Sequence, residues 1–341
     1  MTITKKTKRV TIRDIADEVG VSISTVSLYT QGRDGVGEET GQRIADAIER
    51  LGYTRRRSER PQKSGYFGLL LEDLSLSAFP ETLYGAIIRS IETEAKSHGY
   101  SMVLSVIEED VVPRMVEQNQ VDGLIILGGS PRNDAVALRL VERNIPLVLL
   151  DNHIPSAAIG AIVPDNEWGG YSAIRHLVEL GHRRIAILQG PAKYRTLTDR
   201  LWGAKRAAHE LGIEIPPAYL PPAQSSGEPL KGYKEMRTLL QLPELPTAVF
   251  AVSDKTAFGA LEAIREAGLS VPEDISLIGF DNEVRSEHTS PPLTTIHLPK
   301  RYLGTLAMRH LIAQIENPTD RPMRLCVPTR LVERASTAPY G

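Results

Sequence analysis

The chain runs to 341 residues, with one cysteine, eight histidines and a formal net charge of −2, long enough for two or three domains with sizeable cores. The lone Cys326 excludes an intramolecular disulfide framework and fits a reducing cytoplasm. No apolar run approaches the roughly 20 residues of a membrane span, and the start MTITKKTKRV lacks the apolar core of a signal peptide, so a cytoplasmic protein with no membrane partner is expected. Residues 1–64 carry thirteen Lys+Arg against nine Asp+Glu, a net of +4, while the remainder carries −6. A basic head on an acidic body directs any polyanionic partner to the N-terminal end.

In TIRDIADEVGVSISTVSLYTQG, residues 11–32, Ile12, Ile15, Ala16 and Val19 fall on one face of a short helix. Thr11 precedes that face with Asp14 three residues on, a capping-box-like start, and Gly20 can stop the helix. Ser22 then caps a second helix from Ile23 to about Thr30 that buries Val26 and Tyr29. This is the layout of a helix-turn-helix; spacing alone leaves an ordinary helical hairpin equally open. VGEETGQRIADAIERLGY reads as a third helix, with Ile44, Ala47, Ile48 and Leu51 on one face and Gly52 at its end. TRRRSERPQKSG, residues 54–65, has no apolar residue and reads as a linker.

From Tyr66 the texture changes. YFGLLLE, SMVLSV, GLIILG, PLVLLD, IAILQG, AVFAVSD and ISLIGFD read as buried strands, separated by amphipathic segments such as 82–98, 169–180, 199–211 and 255–267. Alternating strands and helices imply parallel sheets covered by helices. About 270 residues is long for one core, so two lobes are expected. Ligands of such sheets bind beyond the strands' carboxyl ends. That directs attention to Asp151, Asp165, Gln189, Ser253, Asp254, Asp281 and Asn282. The histidines show no HExxH spacing, and there is no GxSxG elbow or P-loop. Neither catalysis, metal nor cofactor is expected.

Residues 11–32, followed by VGEETGQRIADAIERLGY, resemble the DNA-binding head of the LacI/GalR transcriptional regulators. The body carries that family's signposts in order: GLIILGG, VLLDN, HLVELGHRRIAILQGP, DRLWGAKRA, AVFAVSDKTAFGALEAIREAGLSVPEDISLIGFDN and PPLTTI. The resemblance implies a small all-α helix-turn-helix domain (9–53), a basic hinge linker (54–65) and a two-lobed α/β periplasmic-binding-protein-like core with parallel sheets (66–341). Its chain crosses between the lobes three times, with lobe 1 at about 66–163 and 293–322 and lobe 2 at about 164–292 and 323–341. It further implies a homodimeric repressor of a near-palindromic operator, with a sugar or related metabolite as effector. The alternative is a solute-binding protein of a transport system.

By the same resemblance, Ile23, Ser24 and Leu28 read bases, Leu28 standing where an Arg is common. Leu and Ile can pack on a thymine methyl but make no bidentate contact to guanine, and core packing is the other reading of Leu28. Thr11, Ser22, Thr25 and Ser27 are phosphate contacts, caps, or both. The linker departs furthest from the family, whose Ala-Arg-x-Leu run wedges a leucine into the minor groove. Here Gln62 stands nearest that wedge and Pro61 disfavours a helix. Arg55, Arg56 and Arg57 are expected to follow phosphates or enter a narrow minor groove, the alternative being a solvated spacer. For the effector, Arg200 in DRLWG, Asp281 in GFDN and Asp151 in LLDN match cleft residues, an arginine fork with carboxylates that suits a polyol. An inter-lobe salt bridge is the other reading of Arg200. Phe79, with a core phenylalanine as its equal alternative, Tyr194 and Thr196 (in KYRTL), and Ser253, which replaces a common Asn, complete the expected set. Asp165 is balanced between cap and ligand contact. For Trp168 and Trp202, core or hinge packing is expected over ligand contact.

Overall fold

The computed structural model describes residues 10–30, 35–51, 53, 63–72, 83–108, 112–223, 229–318 and 321–341. They form two units, Met1–Lys63 and Ser64–Gly341.

The first unit holds α1 (Ile12–Val19), α2 (Ile23–Thr30) and α3 (Glu38–Leu51). Their apolar faces meet in one small core of Ile15, Ala16, Val19, Val26, Ile44 and Ala47, with Ile48 and Leu51 partly buried around it. Gly20 ends α1 at φ 72°, in the left-handed region. Tyr29 is half-buried rather than fully so, its ring lying on Gly41 of α3. Gly52 lies outside the described residues.

The second unit is built on two sheets. The first takes β1 (Tyr66–Leu71), β2 (Ser101–Val106), β3 (Leu124–Leu127), β4 (Leu147–Leu150), β5 (Gly160–Pro164) and, much later, β10 (Arg324–Val327), all parallel in the order β10-β5-β4-β3-β1-β2. The second takes β6 (Ile185–Leu188), β7 (Ala248–Ala251), β8 (Ser276–Asp281), β9 (Thr294–His297) and β11 (Arg330–Val332) in the order β11-β9-β8-β7-β6, with only β11 antiparallel to its neighbour. The continuous apolar runs follow from helices on both faces. In β1, Phe67, Leu69 and Leu71 enter one cluster, whereas Leu70 enters another on the opposite face.

The first lobe is covered by α4 (Leu83–Ser97), α5 (Arg114–Glu117), α6 (Pro131–Glu142) and α11 (Lys300–Glu316). The second is covered by α7 (Asn166–Glu179), α8 (Arg195–Glu210), α9 (Leu230–Leu239) and α10 (Asp254–Glu266). The chain passes between the sheets after β5, after β9 and between β10 and β11. Sheet membership moves two of the expected boundaries. β9 belongs to the second sheet although a boundary at 293 puts it in lobe 1, and β10 belongs to the first although a boundary at 322 puts it in lobe 2. Both strands are only four residues long, too short for a periodic signal to assign them.

Candidate functional site

In the head, Thr11 caps α1 reciprocally: the Asp14 N–H donates to Thr11 Oγ1 at 3.3 Å and the Thr11 N–H donates to Asp14 Oδ2 at 2.7 Å. Ser22 caps α2, accepting from the Thr25 N–H at 3.1 Å. The capping half of the expectation for these residues is therefore what the free head displays. Val26 locks α2 inward, and Arg43 Nη2 of α3 donates to the Val19 carbonyl at 2.7 Å, closing the turn. Around Val26, Ile23 and Ser24 are exposed, and Thr25, Ser27 and Leu28 half-buried. Leu28 lies outside the head's apolar cluster, so the core reading of it is not the one adopted. Arg55, Arg56 and Arg57 lie outside the described residues, as does Phe79.

The second constellation gathers at strand ends. β4 runs into Asp151 at φ 57°, and β8 into Asp281 and Asn282 at φ 117° and 52°. Non-glycine residues hold such conformations only when their surroundings enforce them. At β8 the enforcement is visible. Buried Asp254 accepts from the Glu283 N–H at 2.7 Å and from Thr295 Oγ1 at 2.6 Å, and Lys300 Nζ donates to the Asn282 carbonyl at 2.7 Å.

Arg200, on α8, is 2% exposed and engaged on every side. Its Nε donates to Asn166 Oδ1 at 2.9 Å and its Nη1 to the Val252 carbonyl at 2.7 Å. Nη2 stands 3.0 Å from Asp281 Oδ1, an ion pair not aligned as a hydrogen bond, and the guanidinium carbon lies 3.9 Å above the Phe280 ring. The partner Asp281 lies in Arg200's own lobe, which disposes of the inter-lobe salt bridge. From the first lobe, Tyr84 OH donates to Asp151 Oδ2 at 3.2 Å, whereas buried Asp151 Oδ1 finds no hydrogen-bond partner among the described residues. Burial pushes the Asp151 carboxyl up to about 7; Arg200 pulls the other way and Asp281 adds to the rise. Burial first, then Asp151, raises the Tyr84 phenol well above its ordinary value.

Arg200, Asp281 and Asp151 are thus brought together across the two lobes. Ser253 directly follows Val252, whose carbonyl accepts from Arg200, but its hydroxyl caps α10, accepting from the Thr256 N–H at 3.1 Å. Tyr194 and Thr196 are half-buried where α8 begins, four residues earlier than the helix expected from 199. Asp165 caps α7, accepting from the Trp168 N–H at 2.9 Å. Core packing fails for both tryptophans: Trp202 is 67% exposed, and Trp168, 40% exposed, stacks on Tyr171 and lines a cavity with Thr329, Arg330 and Leu331 at the passage between β10 and β11. Both sit on outward faces of helices, where single exposed aromatics occur without a core to join. Tyr84, Asn166, Phe280 and Lys300 were not among the expected site residues. Phe280 reads as one more core residue of its strand, and the others become visible only through contacts far apart in sequence.

A helix-turn-helix in one unit and, in the other, a two-lobed core with polar groups converging between its sheets define a DNA-binding regulator that answers to a small ligand. The family model for "Bacterial regulatory proteins, lacI family" matches residues 11–56, and that for "Periplasmic binding protein-like domain" matches 174–337. The HTH-type transcriptional repressor PurR of Escherichia coli O139:H28 is 36% identical over 337 residues, covering 96% of this chain and 97% of the relative. A solved complex of the transcriptional regulator CelR with cellobiose superposes with a TM-score of 0.71 at 29% identity, covering 96% of this chain and 100% of that one. The lac repressor dimer bound to operator and the anti-inducer ONPF superposes at 0.70 and 29% identity, covering 97% and 100%. The chain belongs to the LacI family of bacterial regulatory proteins.

Proposed function

We propose that the protein is a cytoplasmic, homodimeric repressor that reads a near-palindromic operator through α2 and changes its operator affinity when a sugar or related metabolite fills the cleft. The observation that carries this reading is the Arg200–Asp281 pair facing Asp151 across the lobes, at the carboxyl ends of parallel strands. Carboxylates accept and an arginine donates, which matches hydroxyls that do both. The cellobiose complex of CelR supports a sugar. Two half-sites joined by symmetry suit a head that reads only a few base pairs, and the operator-bound lac repressor dimer supports that arrangement. Residues 54–65 serve as the linker, with Arg55, Arg56 and Arg57 on the phosphates. No catalytic role is assigned.

A thermal-shift screen of sugars, polyols and nucleosides should find a ligand that stabilises the chain without being turned over. Mobility shift with DNA upstream of its own gene should show a specific complex, which a transport binding protein would not form. Arg200→Ala and Asp281→Ala should each abolish the ligand response, lose about 1.5–3 kcal/mol of ligand affinity and keep ligand-free operator binding. Unchanged ligand affinity in both variants overturns the site.

A further inference from the structure

Asp134 lies in the first turn of α6 in the first lobe, and Arg195 opens α8 in the second. Their side chains form an ion pair between the lobes, Arg195 Nη2 standing 3.6 Å from Asp134 Oδ2. Asp134 is held from its own lobe as well, since Asn152 Nδ2 donates to its Oδ1 at 2.8 Å. Asn152 is almost fully buried and directly follows Asp151, whose backbone sits at φ 57°. The backbone thus joins the cleft carboxylate to Asn152, whose side chain holds Asp134 opposite a cation on the other lobe.

The pair is only partly made. A guanidinium that engages a carboxylate well does so through two parallel N–H bonds. Here the closest approach of 3.6 Å is too long for a hydrogen bond, and Arg195 Nε is buried with no hydrogen-bond partner among the described residues. A buried donor left without an acceptor is unfavourable, and it is relieved either by opening to water or by closing further onto an acceptor. Both side chains are partly exposed, 36% and 24%, so neither outcome requires a large desolvation change. An ion pair of this kind can be shifted by a ligand that binds the open or the closed arrangement better.

We propose that Asp134 and Arg195 are positioning residues that form a clasp between the lobes, and that Asn152 ties its closure to the occupancy of Asp151. The proposal rests on the cleft being the effector site, but the clasp can be read without any effector. Spin labels at Leu138→Cys on α6 and Trp202→Cys on α8, both exposed positions, report the lobe separation by pulsed electron resonance. Cys326→Ser removes the exposed native thiol, and excess unlabelled chain restricts each dimer to one labelled protomer. The otherwise unaltered chain should give a narrow distance distribution. Asp134→Asn and Arg195→Gln should each broaden it toward longer separations. The doubly reversed variant, Asp134→Arg with Arg195→Asp, should regain the narrow distribution, because Asn152 can turn its amide to accept from an arginine at 134. Raising NaCl from about 50 mM to about 1 M should broaden the parent and leave the single variants unmoved, since salt screens partly exposed pairs. An unchanged distribution in both single variants, a salt-insensitive parent, or a doubly reversed variant as broad as the singles overturns the clasp. Failure of the effector reading appears separately, as ligand affinity unaffected by Arg200→Ala.

Discussion

Asp151 holds its proton more tightly in the folded chain than in the unfolded one, because burial lifts its carboxyl from 3.8 to about 7. Its contribution to stability is therefore greatest in acid and is lost as pH rises from about 4 through 7. Burial lowers His153 and His297 to about 4, and these act with the opposite sign, losing stability as pH falls below 6.5. Comparing the parent with Asp151→Asn cancels the histidines. The variant should be the more stable at pH 8, with its advantage shrinking by an amount on the order of 2 kcal/mol as pH falls to 5. Denaturant midpoints at the two pH values check this, and a pH-independent difference would mean that Tyr84 and Arg200 already keep Asp151 ionised. The legibility of this site in the sequence divides along a physical line. Asp281 and Asp151 stand in short motifs at strand ends, where a polar residue interrupts an apolar run, whereas Arg200, inside α8, is legible only through the resemblance of DRLWG to the family. Phe280 carries no such signal, because a ring beneath a guanidinium and a ring in a core are written alike. Tyr84 acquires its role only from a partner 67 residues away.

The elements that aim these residues depend on close backbone approach. α7 and α8 cross so tightly that a Cβ on Gly203 would strike the Glu167 carbonyl, and one on Gly170 would strike the Arg200 carbonyl. Gly203→Ala should thus push α8 outward, cost about 1–3 kcal/mol of stability and weaken ligand binding through the displaced Arg200. Calorimetric titration beside a thermal melt tests the two effects together; intact affinity would show that the guanidinium is held by Asn166 and Asp281 regardless of its helix. In the head, α2 separates duties by face. Val26→Ala should cost about 2–3 kcal/mol of head stability, the worth of a fully buried apolar side chain. Leu28→Ala should leave the melt within about 0.5 kcal/mol and lower operator affinity. Equal destabilisation by both changes would return Leu28 to the core. These short helices announce themselves through caps and a 3.6-residue rhythm. β5, β9, β10 and β11 do not, since three to five residues carry no rhythm and their pairing is decided by neighbours far along the chain.

At the scale of the whole molecule, affinity for DNA should be dominated by charge at the N-terminal end. Replacing Arg55, Arg56 and Arg57 with Ala should weaken all sites about equally and flatten the log–log salt dependence by up to roughly 2–3 units. A full salt slope in the triple variant, measured by fluorescence anisotropy, would reduce the linker to a spacer. The triple passage between the sheets has a bearing on how the protein is made. Neither lobe is a continuous stretch of chain, since β5 receives its outer neighbour only from Arg324–Val327 and β9 from Arg330–Val332. The helical head lies wholly within the first 63 residues and depends on local contacts, which form quickly. On the ribosome it can be complete while the first sheet still shows an open edge, a template for mispairing with another chain. A message cut short before codon 324 would then yield a polypeptide whose DNA-reading part folds while its ligand-sensing part lacks the last strand of each sheet, a lesion that severs the gene switch from its signal without touching a residue of either site.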